Sequence, residues 1–270
     1  MASTTTYLIT GASSGIGLEL AKQLVASQNN HVFATVRKRG SSLTGTDEIS
    51  QITPADGSSI TIVEGVDVSS DAVGDILIPQ LNGTVIDVVI HNAGSLSGTR
   101  DVASSDLMAE QKLGTISMDR MRAAFEVNAL GPLRIQKTLL DANLMKTSDS
   151  KEGASPMIGK VAIISTGLSS IDDNTSGGNY AYRTSKAAVN MIAKSMSCDL
   201  KEDGISVRSI APGFVATEFG PGKETMKGWG AMPVEASCEG IISLLDSMTM
   251  DNTGEFHCVK KDGPTVIMAW

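Results

Sequence analysis

Short runs rich in Val and Ile recur along the chain, with longer helical patterns between them. "TYLIT", "HVFATV", "TIVEGV", "VIDVVIHNA", "KVAIIS" and "ISVRSIAP" are nearly all apolar rather than alternating. A strand that is apolar on both sides must be covered on both faces, which is what a parallel sheet flanked by helices requires. The first intervening segment, "SGIGLELAKQLVAS", places Ile16, Leu20, Leu24 and Val25 on one helical face. Strand and helix in alternation, joined by right-handed crossovers, predict an α/β chain with a doubly wound parallel sheet of about seven strands. The run "GEFHCV" before the turn "KKDG" is expected to add an edge strand.

Residues 1–270 read as a single domain, because no linker divides the pattern into two halves that could each form a sheet. "KTSDSKEGASPMIGK" reads as a surface loop, and "SLSGTRDVASSDLMAEQKLGTIS" as a loop with a short helix. "FGPGKETMKGWGAMPVEAS" is rich in Gly and Met without strong periodicity. Loops of such length in a compact domain commonly serve a site. A net charge of −8 argues against nucleic acid and anionic membrane as partners, since both need basic surfaces. Cys198, Cys238 and Cys258 are odd in number and lack paired spacing, so they are expected to be reduced thiols rather than disulfides or metal ligands. With no basic leader and no long apolar span, the expected location is the cytoplasm.

"TGASSGIG", from Thr10 to Gly17, follows the first strand and opens the first helix. Gly11, Gly15 and Gly17 let the backbone turn sharply and approach a ligand closely. Ser13, Ser14 and Ile16 complete a loop whose amides, with the helix N-terminus, suit a pyrophosphate. The second strand ends "FATVRKRG". An acidic residue there would bind a ribose 2′-hydroxyl, whereas a basic one accommodates a 2′-phosphate. Arg37 and Lys38 occupy this place, so NADP(H) is the expected coenzyme.

In "NYAYRTSKAAVNMIAKSMSCDL", Tyr182 and Lys186 are i and i+4 on a helical pattern and share one face. An ammonium beside a phenol stabilises the phenolate, so Lys186 is expected to lower the pKa of Tyr182 towards neutrality. Tyr180 has Thr184 at the same offset and gains no such charge.

Taken together, these motifs resemble the short-chain dehydrogenase/reductase family, over nearly the whole chain and in family order. Thr10–Gly17 is similar to its T-G-x-x-x-G-x-G loop, and Asp67-Val68 to its adenine-contacting pair after the third strand. "HNAG" resembles N-N-A-G, with His91 in place of the first Asn and Asn92, Ala93 and Gly94 retained. Asn128 stands where the family carries a catalytic Asn, and "APGFVATEF" resembles its P-G segment, placing Pro212, Gly213, Val215 and Thr217 beside the nicotinamide. Within the family the likeness is greatest to the branch of C-factor, sniffer-type carbonyl reductases and fungal norsolorinic acid ketoreductases.

The resemblance implies a Rossmann fold and hydride exchange between NADP(H) and a carbonyl or alcohol. Tyr182 is the implied proton donor, Lys186 the ribose anchor, and Asn128 the holder of a water in the proton path. A fourth group donates a hydrogen bond to the substrate oxygen. Strand register in "VAIISTGLSSIDDN" favours Thr166, with Ser165 on the opposite side, whereas the family's usual serine-to-tyrosine spacing selects Ser169. Thr166 is the expectation, because a strand end positions a side chain more firmly than a loop. Phe219, Met226, Trp229 and Met232 lie in a segment expected to act as a substrate lid over about 217–235, fitting a hydrophobic small molecule of secondary metabolism or packing on the body. A coenzyme-binding protein without turnover, or a repurposed non-redox enzyme, is the alternative. Homodimer, homotetramer and monomer all remain open.

Overall fold

A computed structural model describes residues 4–37, 45–96, 112–147 and 159–270. Each apolar run forms a strand: β1 (Thr5–Ile9), β2 (Asn30–Thr35), β3 (Ser59–Val63), β4 (Val88–His91), β5 (Gly159–Ile164) and β6 (Ile205–Ala211). They join β7 (Phe256–Cys258) and β8 (Val266–Ile267) in one sheet of order β3-β2-β1-β4-β5-β6-β7-β8. All neighbours are parallel except β7 and β8. The eighth strand exceeds the expected number, because two residues on an exposed edge carry no periodic signal.

The helices are α1 (Gly15–Ala26), α2 (Gly45–Ser50), α3 (Val73–Leu81), α4 (Met118–Phe125), α5 (Gly131–Asp141), α6 (Tyr180–Asp199), α7 (Lys223–Gly228) and α8 (Val234–Asp246). Successive strand residues feed opposite faces of the sheet. Ile9, Ile90, Ile164 and Ile210 pack with Leu20 and Leu24 of α1 and Ile241 and Leu245 of α8. Leu8, Val89, Ile163 and Val207 pack with Leu77 of α3, Ile135 of α5 and Val189 of α6. This two-sided burial is why the strands lack polar alternation.

The chain steps outward from β1 to β3, then returns to the other side of β1 as β4. A crevice therefore opens at the C-terminal ends of β1 and β4, where α/β sheets of this order bind ligands. The segment after Phe219 is less irregular than expected. It contains α7, and Val215 bridges Met232 so that the chain doubles back on itself. Lys38, most of the loop after Leu96, and the loop up to Gly159 lie outside the described residues. Among those described, no helix is long and apolar enough to cross a membrane.

Candidate active site

The glycine loop is built against the end of β4. Thr10 Oγ1 accepts the amides of Asn92 at 3.0 Å and Ala93 at 3.1 Å. Asn92 Nδ2 returns two bonds, to the carbonyls of Thr10 and Gly11, each at 3.0 Å. The approach is so close that a Cβ on Gly11, whose φ is +68°, would stand 2.9 Å from Ala93 Cα. Gly15 also has a positive φ, +56°, and its nearest neighbour is Thr217, 3.6 Å from where a Cβ would lie. The loop thus brings Gly15 under the P-G segment. Ser14 stands at the N-cap of α1 with no side-chain bond, and the first turn carries no acid. These amides, next to a cradle that only glycine can line, fit the pyrophosphate of a dinucleotide.

Asp67 and Arg37 share the outer end of the crevice. Asp67 Oδ1 accepts the amide of Ser69 at 2.9 Å and its hydroxyl at 2.6 Å, closing a tight turn. Burial pushes the carboxyl up, but the Ser69 bonds and the charge of Arg37 outweigh it and the net direction is down. Val68 is buried under α5, where Gly131 leaves room: a Cβ there would meet Val68 Cγ2 at 3.0 Å. On the far side, Gly213 (φ +86°) has no space for a Cβ, which would fall against Met232 and 2.7 Å from the Val259 carbonyl oxygen. The Pro212 carbonyl accepts the Ser237 hydroxyl at 2.7 Å, and Val215 and Thr217 are buried.

Asn128 lies at the centre of a π-helical turn, Glu126–Leu130, between α4 and α5. Such widened turns recur at functional sites. Its side chain is fully engaged: Oδ1 accepts the Ser95 amide at 2.8 Å, while Nδ2 donates to the Ser95 carbonyl at 2.7 Å and to Ser185 Oγ at 2.9 Å. It thus fastens the loop after Gly94 to the helix bearing Lys186. A Cβ on Gly94 would lie 3.4 Å from Asn128 Oδ1 and 3.5 Å from Lys186 Nζ, so all three residues meet.

Lys186 is buried and donates to the Ile164 carbonyl at 2.7 Å. Burial pulls its ammonium down to about 8. The Tyr182 phenol is pushed up to about 12 by burial, opposed by a hydrogen bond with the Thr166 side chain. The net direction for Tyr182 is thus up, with burial as the larger cause. At neutral pH the phenol therefore holds its proton and Lys186 its charge.

The hydroxyl cluster after β5 divides by direction. Thr166 Oγ1 caps a one-turn 3-10 helix, Gly167–Ser169, accepting the Leu168 amide at 3.2 Å, and its side chain reaches Tyr182. Ser169 turns into the core: it donates to the Thr166 carbonyl at 2.6 Å, accepts from Asn190 Nδ2 at 2.8 Å, and lies 3.2 Å from Ser165 Oγ. Spacing alone pointed at a hydroxyl already engaged by the Thr166 carbonyl, Asn190 and Ser165.

Of the lid residues, Phe219 faces the site, its ring centroid 5.9 Å from that of Tyr182. Trp229 is exposed, whereas Met226 packs with Ala216 and Ala231, and Met232 joins the main core. Those two methionines are packing residues, because the Val215–Met232 bridge folds them inward. Ser95 and Ser185 escaped sequence reasoning; the only signal was the placement of Ser185 directly before Lys186.

A doubly wound sheet carries a glycine cradle at its switch point with Tyr182, Lys186, Asn128 and Thr166 beside it, an arrangement that suits a dinucleotide-dependent oxidoreductase. The short chain dehydrogenase model matches residues 5–227, and the chain belongs to that family, whose members use a nicotinamide coenzyme. It is 31% identical to the 1-hydroxy-2-glutathionyl-2-methyl-3-butene dehydrogenase of Rhodococcus sp. (strain AD45), over 93% of this chain and 95% of that one. The norsolorinic acid ketoreductase of Aspergillus parasiticus is 28% identical, over 96% and 89%. Among solved structures, the carbonyl reductase Sniffer of D. melanogaster superposes with a TM-score of 0.78 at 26% identity, covering 99% of this chain and 100% of that one. The NADPH-bound carbonyl reductase from chicken fatty liver gives 0.77 at 25% identity, covering all of both. A sniffer carbonyl reductase and a norsolorinic acid ketoreductase, both of the branch expected from the motifs, are thus among the similar proteins.

Proposed function

We propose that the protein is an NADP(H)-dependent carbonyl reductase, running as an alcohol dehydrogenase in reverse, that acts on a hydrophobic ketone or aldehyde. The observation that carries this reading is the placement of the Thr166 side chain at Tyr182, beside the buried Lys186, at the C-terminal ends of the strands that also hold the glycine cradle. Two hydroxyl donors on one point suit a carbonyl oxygen that gains negative charge in the transition state.

Gly11, Ser13, Ser14, Gly15, Ile16 and Gly17 would hold the pyrophosphate, Arg37 with Lys38 the 2′-phosphate, and Asp67-Val68 the adenine. Asn92, Ala93, Gly94, Pro212, Gly213, Val215 and Thr217 would border the nicotinamide end. When bound, the coenzyme supplies hydride to the carbonyl carbon. The residues of the chain do the rest. Thr166 donates to the substrate oxygen, and Tyr182, protonated at neutral pH, delivers its proton there. Lys186 holds the ribose, and Asn128 keeps Ser95 and Ser185 in register and serves the proton path. Phe219 and the rest of 217–235 cover the substrate and exclude water. The apolar ring on Tyr182 and the likeness to a ketoreductase of norsolorinic acid support a hydrophobic substrate of secondary metabolism.

Stoichiometric NADPH oxidation with a panel of aromatic and aliphatic ketones and aldehydes tests the reading, with Tyr182→Phe binding coenzyme but losing turnover. Coenzyme binding without turnover across the panel would instead support the non-redox alternative. Arg37→Asp should turn the preference towards NADH; tighter binding of NADH by the unmodified chain ends the NADP(H) assignment.

A further inference from the structure

The last strand of the sheet leads back to the reaction site. β8 pairs Ile267 with His257 and Val266 with Cys258, and the amide of Met268 then donates to the Phe256 carbonyl at 2.8 Å. From there the chain runs along the loop that follows β5. Three donors of that loop converge on the main-chain oxygen of Trp270: the Ile171 amide at 3.0 Å, the Asp172 amide at 3.3 Å and the Ser170 hydroxyl at 3.4 Å. The indole of Trp270 stacks on Phe256, with centroids 5.4 Å apart and 25° between the planes. Met268 Cε lies over Gly167, 3.6 Å from where a Cβ would stand.

The loop needs such ties. Leu168 and Ile171 expose 40% and 77% of their surface, so little apolar burial holds this turn in place. Its inner side is fixed by α6, through Arg183 Nη1 on the Leu168 carbonyl at 3.0 Å and Asn190 on Ser169. Its outer side is fixed by the 268–270 segment. Thr166 stands at the hinge between β5 and this turn, and its hydroxyl already accepts the Leu168 amide. A shift of the turn therefore moves the hydroxyl that meets Tyr182.

We propose that Met268–Trp270 is a positioning strap for Thr166. It clamps residues 167–172 from outside and so holds the Thr166 hydroxyl on Tyr182. The inference rests on the proposed reductase reading, in which Thr166 touches the substrate oxygen. The strap's contribution is made in the transition state, so it belongs in kcat and not in coenzyme affinity.

The experiment compares Trp270→Ala, Trp270→Phe and a chain ending at Ile267, each in the native and the Thr166→Val background. Trp270→Ala and the shortened chain are expected to lose roughly ten- to a hundredfold in kcat, the effect of a sub-ångström to ångström misplacement. NADPH affinity should stay within about twofold, since a strap acting only in the transition state leaves ground-state binding alone. Trp270→Phe, which keeps the stack on Phe256, should restore most of the rate. In the Thr166→Val background the shortening should cost little more, because the group it positions is gone. Equal losses in both backgrounds overturn the proposal. Hydrogen exchange at the Ile171 and Asp172 amides reads the strap without turnover. Faster exchange in Trp270→Ala and the shortened chain is expected, and unchanged protection refutes the strap even if the reductase reading fails on other grounds.

Discussion

Replacing Gly17 with alanine sets a methyl group against the Gly11 carbonyl oxygen, 2.5 Å from Asn92 Nδ2 and 3.1 Å from Ala12 Cα. Non-bonded heavy atoms settle at about 3.5 Å, so the Gly11 and Asn92 groups must withdraw by roughly 1 Å. Such overpacking costs about 1–3 kcal/mol. The same movement breaks the two bonds from Asn92 Nδ2, at 3.0 Å each, for about 1 kcal/mol apiece. Working the other way, alanine inside a helix is favoured over glycine by about 1 kcal/mol. The clash wins, and the net loss is about 2–4 kcal/mol. At about 2–4 °C per kcal/mol for a chain of this size class, Tm falls by roughly 8 °C. Urea unfolding and a thermal scan measure this directly. NADPH titration should show a weakened site as well, because the displaced atoms line the cradle. An unchanged or raised Tm, as helix propensity alone would give, refutes the claim that close approach demands glycine here.

The two hydroxyls after β5 separate by readout. Thr166→Val should cut turnover severely while leaving stability within about 1 kcal/mol, whereas Ser169→Ala should cost about 1–3 kcal/mol of stability through the stranded Asn190 and keep most of the turnover. A turnover loss confined to Ser169→Ala reverses the assignment. His91 is buried and pushed down to about 4 by that burial, with its bond to Gln136 acting weakly in the opposite direction. Between its unfolded value of 6.5 and about 4, the unfolded chain binds a proton that the folded chain refuses, so stability falls with pH by about 3 kcal/mol across that window. His91→Asn should flatten this acid limb in unfolding measurements at pH 6.5 and 4.5; an equally steep limb in both proteins counts against a neutral buried His91.

Strands β1 to β6 were readable as runs of Val and Ile, because burial on both sheet faces leaves its mark on consecutive residues. The glycine loop was readable for a similar reason, since backbone that turns sharply and touches Ala93 tolerates few other side chains. Tyr182 and Lys186 announced themselves through the helical repeat. The coenzyme and catalytic expectations therefore rested on signals contained within one element each.

What escaped sequence reasoning spans elements distant in the chain. The Asn128–Ser95–Ser185 lock depends on a π turn that no propensity encodes, and Met226 and Met232 turned inward because Val215 bridges Met232. The different bonding of Thr166 and Ser169 follows from a single 3-10 turn. The Tyr182 phenol becomes a weaker acid, because burial disfavours its charged form. Trp270 meets Ser170 across 100 residues of sequence. Local pattern carries the periodicity of burial, which is a property of neighbours along the chain. Which polar atoms finally meet, and in what dielectric, is a property of packing, and it arises only when the sheet has closed and its far edge lies against the loop of β5.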